Sequence, residues 1–269
     1  MSGPREPGVA CTTITSRGRV VTAMSVDLAR DGDVATITID NPEKMNAIDV
    51  DSASALADHL FEVAHDDGVR CVEVTGAGEA FCSGLDITGA AGGGATQELE
   101  RGFNAIARRI LRMPKPVVAT LPGPAVGAGA SIASACDFVY AAESAWFQWK
   151  FTELGLAPDT GATFVLPRLV GPRLATELMV TARKMDVEEA VEEGVANEAI
   201  PDAEYDDVVA ERLAMLASRP TKAVGATKRL VLRNWHRSME ESLRAEAHEQ
   251  EQMFQTQDAT EGFTAFTQD

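Results

Sequence analysis

Apolar and polar positions alternate along residues 25–40, and the run is rich in β-branched side chains: Val34, Thr36, Ile37, Thr38 and Ile39. That period predicts two paired strands with Asp31-Gly32 as the turn. The period then lengthens. Leu56, Leu60 and Val63 fall on one face of a helix running to about Ala64, with Asp49 or Asp51 placed to cap its start. An apolar run at 70–75 reads as a buried strand. Residues 89–94 are Gly/Ala-rich, which predicts a mobile loop. A helix follows over about 96–111, then strands at 116–120 and near 137–140. From Thr160 onward the pattern is mainly helical.

Strands alternating with helices, followed by helices alone, predict an α/β core with a helical C-terminal part. Periodicity does not separate a doubly wound sheet from other α/β arrangements, and no sequence repeat is obvious. The 269 residues, 45% hydrophobic, suffice for one large domain or two small ones. The first 23 residues carry Pro, Gly, Ser and Thr and lack the apolar core of a signal peptide. The domain reading is therefore a disordered extension over 1–23, an α/β core over 24–210 and a helical region over 211–269, with Met24 a candidate natural start. No apolar run approaches the roughly 18 residues of a membrane span. A net charge of −17 argues against non-specific nucleic-acid binding. The chain thus reads as soluble and cytoplasmic. Its cysteines and histidines form no metal or triad pattern, so no metal is expected.

Two short stretches carry the candidate chemistry. One is Ala80-Phe81-Cys82-Ser83-Gly84-Leu85-Asp86-Ile87; the other is Pro124-Ala125-Val126-Gly127-Ala128-Gly129-Ala130-Ser131. Each brings a small-residue turn up to a predicted helix start, where backbone N–H groups are free to point at a negative oxygen. Two such donors aimed at one point form an oxyanion hole. Small residues at these positions also suit a helix packed closely on a strand.

This pair of motifs resembles the crotonase family, the enoyl-CoA hydratases and isomerases, and the matches run from about Val34 to the C-terminus. The resemblance implies a spiral of ββα units followed by a helical trimerisation region. It also implies an acyl-CoA substrate, coenzyme A being part of that substrate rather than a separate cofactor. The expected assembly is a homotrimer or dimer of trimers. The donors fall on the N–H groups of Leu85 and Ala128. The segment Asn41-Pro42-Glu43-Lys44-Met45-Asn46-Ala47 is similar to one lining the CoA path, with Lys44 suited to a phosphate. Ser83, Asp86 and Ile87 match the adenine-holding segment. The basic run that often ends relatives is missing, leaving Lys228 and Arg229 as substitutes.

The catalytic glutamates of the family's hydratases map onto Ser131 and Phe151, so neither acid is present here, and both residues become candidates for lining the substrate space. What remains is Asp159, where hydratases usually carry Gly. A carboxylate there resembles the isomerase branch, in which one base suffices for a 1,3-proton shift. Phe151, Leu156 and Phe164 are the apolar neighbours expected to raise its pKa. Pro158-Asp159 is equally a helix N-cap signal. Glu153, the other nearby acid, reads as structural. Hydratase-like chemistry, an aromatic-ring acyl-CoA isomerase, a hydrolase, a dehalogenase and a catalytically degenerate acyl-CoA-binding protein are the alternatives. Phe151, Trp146 and Trp149 hint at a bulky pocket.

Overall fold

The computed structural model describes residues 12–14, 20–22, 24–86 and 95–268. Within residues 1–23, β1 (Thr12–Ile14) and β2 (Val20–Thr22) form an antiparallel ladder. Their β-branched composition is what favours the pairing. The predicted loop at 89–94 lies outside the described residues.

β3 (Ser25–Asp31) and β4 (Val34–Asp40) form the expected hairpin. α1 (Val50–Ala64) starts at Asp49, whose carboxylate accepts the Ser52 N–H at 2.8 Å. β5 (Cys71–Gly76) follows. The helix predicted over 96–111 is two, α2 (Ala95–Arg101) and α3 (Phe103–Arg112), parted at Gly102. Next come β6 (Val117–Leu121), β7 (Ala125–Val126), α4 (Ala128–Ala135), β8 (Phe138–Ala142) and β9 (Trp146–Gln148). α5 (Ala162–Leu169), α6 (Gly171–Thr181), β10 (Met185–Asp186), α7 (Val187–Glu192) and β11 (Glu198–Ile200) complete the core with α8 (Tyr205–Ala217). α9 (Thr221–Asn234), α10 (Met239–Met253) and α11 (Gln257–Gln268) end the chain.

Six strands form the main sheet in the order β11-β8-β6-β5-β4-β3, parallel except at the β3–β4 hairpin. β5 and β6 are buried on both faces, as interior parallel strands must be. Leu56, Leu60, Ile106 and Ile110 of α1 and α3 cover one face. Val209, Leu213 and Leu216 of α8 cover the other, against Cys71, Val118, Tyr140 and Ile200. The boundary expected at 210 therefore cuts through α8, a core helix; the C-terminal region begins after Ala217.

A second layer runs alongside. β7, β9 and β10 form a small sheet, and single bridges add Cys82 to Ala125 and Leu85 to Ile48. β4 is followed by Ile48, β5 by Cys82–Leu85, β6 by β7 and β8 by β9. Each turn of chain thus lays one strand in each layer, and helices separate the turns. This is a ββα spiral, not a doubly wound sheet. α9 is anchored by the partly buried Lys228, whose Nζ meets Asp137 Oδ2 at 2.5 Å and the Lys115 carbonyl at 2.8 Å. α10 and α11 contribute no buried residue to the core. Among the described residues no helix is long and apolar enough to cross a membrane.

Candidate active site

The site forms where β5 and β6 end, beyond the carboxyl edge of the main sheet, a usual place for ligands in open parallel sheets. Two loops leave there and meet. The Phe81 N–H donates to the Pro124 carbonyl at 3.1 Å, and the Val126 N–H returns to the Cys82 carbonyl at 2.8 Å. Asn46, fully buried, donates from its side-chain amide to the carbonyls of Ala77 and Ala80, fixing the first loop from below.

Contact between the loops is main chain on main chain. A β-carbon on Gly129 would fall 2.2 Å from the Cys82 carbonyl oxygen, and one on Gly123 2.1 Å from that of Glu79. Gly84 has φ +91, and a β-carbon there would sit 2.9 Å from the Val126 oxygen and 3.1 Å from the Ala128 nitrogen. Only glycine adopts this conformation cheaply and admits this approach. The Gly84 N–H donates to Cys82 Sγ at 3.3 Å, and burial pushes the Cys82 thiol up to about 12, so it stays protonated at neutral pH.

Leu85 follows Gly84 and Ala128 follows Gly127, and both line one cavity of about 360 Å³. Among the described residues neither of their N–H groups donates a hydrogen bond. Ala128 is the first residue of α4, so its N–H also sits at the positive end of the helix dipole. Two unpaired donors at one cavity wall can hold a negatively charged oxygen.

Asp159 lines the same cavity, with Phe151, Leu154 and Leu156 beside it. Its carboxyl is pushed above the usual range by burial, partly offset by the Thr160 hydroxyl, which donates to Oδ1 at 2.7 Å. The cap reading fails: Gly161 occupies the N-cap of α5, and the Ala162 N–H bonds the Asp159 main-chain carbonyl. The carboxylate is left for the cavity. Phe164 is not among its neighbours, because it packs on Arg168 and Trp235 instead.

Of the other expected residues, Lys44, Ser83, Asp86 and Phe151 line the cavity. Lys44 Nζ meets Asp86 Oδ2 at 2.6 Å, and Ser83 Oγ donates to the Lys44 carbonyl, so mouth and loop are tied together. Ile87 lies outside the described residues. Ser131 is not brought to the cavity: it is fully buried, and its hydroxyl bonds back to the Gly127 carbonyl one turn earlier. Glu153 pairs with Lys150 at 3.0 Å, both half exposed. Lys228 and Arg229 pair with Asp137 and Glu249 and tie α9 to core and α10, and neither lines the cavity. Trp149 is fully buried and Trp146 lies under Lys184, so neither shapes the pocket. Leu99 and Phe103 do, together with Val126 and Lys150, and none of these was singled out from the sequence. The helical spacing of Leu99 and Phe103 reads as ordinary core. Among the described residues no acidic or histidine cluster could hold a metal.

Residues 29–269 match the family described as enoyl-CoA hydratase/isomerase. The chain is 34% identical over 240 residues to 1,2-epoxyphenylacetyl-CoA isomerase of Escherichia coli, covering 87% of this chain and 91% of that one. It is 34% identical over 222 residues to carnitinyl-CoA dehydratase of Salmonella enteritidis, covering 82% and 85%. The crystal structure of an enoyl-CoA hydratase from Bacillus anthracis superposes with a TM-score of 0.85 at 29% identity, covering 91% of this chain and 96% of that one.

Proposed function

The chain belongs to the enoyl-CoA hydratase/isomerase family and is an acyl-CoA enzyme, and from that premise we propose that it moves the double bond of an enoyl-CoA, with Asp159 as the single proton shuttle. The observation that carries this reading is a desolvated carboxylate sharing one cavity with two unpaired backbone donors. Asp86, the other described carboxylate there, is engaged with Lys44 at the mouth.

In the proposed reaction the thioester oxygen lies against the Leu85 and Ala128 N–H groups. Asp159 takes a proton from C2 of a 3-enoyl thioester, and the electron pair passes into a dienolate whose charge rests on that oxygen. The same carboxyl returns the proton at C4, leaving the double bond between C2 and C3. One base and two donors suffice, and coenzyme A enters only as part of the substrate. Hydration needs a second acid/base group to manage water, and the positions where the hydratases hold glutamates carry Ser131 and Phe151. Phe103 and Phe151 suit a ring-bearing acyl group, so cyclic enoyl-CoAs form a second arm of the assay.

The test is 3-enoyl-CoA in deuterated water with wild type and Asp159→Asn. Wild type isomerises and exchanges label; the variant loses about a hundredfold or more. Rapid hydration of 2-enoyl-CoA by wild type, or normal isomerisation by the variant, overturns the reading.

The same proposal includes a homotrimer. Among the described residues α10 and α11 contribute no fully buried residue, while Phe254, Phe263 and Phe266 stand exposed, the last at 85%. Apolar area of this kind marks a protein-binding face. Light scattering at micromolar concentration checks it, and a monomer refutes it.

A further inference from the structure

Thr160 is a β-branched residue held at φ +54, in the left-handed region that such side chains avoid. It is fully buried, and Gly161 beside it is also left-handed at φ +84. The two consecutive reversed residues turn the chain from the Asp159 loop into α5. A β-carbon on Gly161 would lie 3.2 Å from Ala107 Cβ of α3, so the turn is pressed onto that helix. Strain of this sort persists where surrounding packing over-determines it, commonly at functional sites. Here the reversed turn does one visible thing: it brings the Thr160 hydroxyl back onto the residue before it, at 2.7 Å from Asp159 Oδ1. Among the described residues no hydrogen bond reaches Oδ2.

We propose that Thr160 is the positioning residue of the Asp159 base, its hydroxyl occupying Oδ1 and orienting the carboxyl so that Oδ2 is the atom that takes and returns the proton. This rests on the isomerase reading above and deepens it. A shuttle must reach two carbons with one oxygen, so rotation of the carboxyl about its own axis is the freedom most costly to leave open. Displacement of a reacting group by about 1 Å can cost a hundredfold. An αL threonine fixes that rotation through a bond from an adjacent, rigid residue. The hydroxyl also opposes the upward push of burial on the Asp159 carboxyl. The other charged groups lining the cavity are Lys44, Asp86 and Lys150, the first two paired with each other and the last with Glu153.

The test compares Thr160→Ser with Thr160→Ala. Both lose the methyl group, and they differ only in the hydroxyl. The Ala variant should turn over enoyl-CoA about tenfold more slowly than the Ser variant, as loss of a hydrogen bond to a charged group predicts, with KM within about twofold. The acid limb of its kcat profile should lie at higher pH, since a bond that lowers the carboxyl pKa is gone. Equal kcat and superimposable pH profiles overturn the proposal. So does an Ala variant that loses thermal stability in step with activity, which would make the hydroxyl structural. Asp159→Asn, run in parallel, separates the two claims. If it is inactive while Ala and Ser match, the shuttle stands and the role of Thr160 falls; if it is active, the shuttle itself falls.

Discussion

The two walls of the cavity are built on opposite principles. The donor wall is made of main chain: Leu85 and Ala128 contribute only N–H groups, and their side chains are incidental to what those groups do. The base wall depends on a single carboxyl and on the hydroxyl that holds it. One wall is fixed by how closely two loops approach, the other by which atom stands at one position. This division accounts for a family whose relatives here are named isomerase, dehydratase and hydratase. On the proposed reading, the donor wall would serve any thioester enolate, and exchange of a few side chains opposite it would redirect the reaction.

The comparison breaks most visibly at Gly84. Gly84→Ala puts a methyl group 2.9 Å from the Val126 oxygen and demands φ +91 of a non-glycine residue. It should lower kcat by about a hundredfold to a thousandfold, the scale of a lost oxyanion donor, while Asp159 is untouched. Steady-state kinetics with a folded variant checks this. Asp159→Asn attacks the other wall, with a loss of about a hundredfold or more but with acyl-CoA binding retained by calorimetry. If both variants lose binding equally, the two walls are not separable.

A smaller effect concerns stability and its sign. Burial raises the Asp159 carboxyl in the folded protein. A raised acid favours folding fully below its unfolded pKa, and that favour is lost as pH rises through the folded value. At neutral pH the ionised group is therefore a burden. Asp159→Asn should melt a few degrees higher than wild type at pH 7, and the gap should close below about pH 4. Thermal scans across pH check this, and a lower melting point for the variant at pH 7 refutes it. The smallest effect belongs to Ala128→Gly. It keeps the N–H, so kcat should change less than about threefold, the helix start losing roughly 0.5–1 kcal/mol of stability. A large fall in kcat would mean that the Ala128 methyl group, not its N–H, is what the substrate meets.

The donor wall was legible only through the resemblance, because small residues at either stretch equally suit a helix packed closely on a strand. Asp159 was legible as the base that the resemblance implies and equally as a cap, since Pro158-Asp159 signals one; Gly161 holds the N-cap of α5, which removes the cap reading. Thr160 was invisible. Its left-handed backbone lies beside the close approach of Gly161 to Ala107 of α3, and no local propensity announces it. Leu99 and Phe103 were hidden for the opposite reason: their helical spacing is what any core helix shows. The second layer escaped notice because its strands are two or three residues long, too short for a period to register. Residue 210 falls within α8, whose buried residues pack on the sheet.

The close approach at Gly123 and Gly129 reaches beyond this one sequence. A carbonyl oxygen, unlike a side chain, cannot rotate out of the way of a new methyl group. Single-step substitution at these two positions is therefore closed to any descendant that keeps the loops together. Leu154 and Leu156, at the cavity edge and about half exposed, have no such guard. Drift in substrate preference can accumulate there one residue at a time, while the place where the thioester sits stays put. The fold confines its own variation to the side of the pocket where variation changes what is bound.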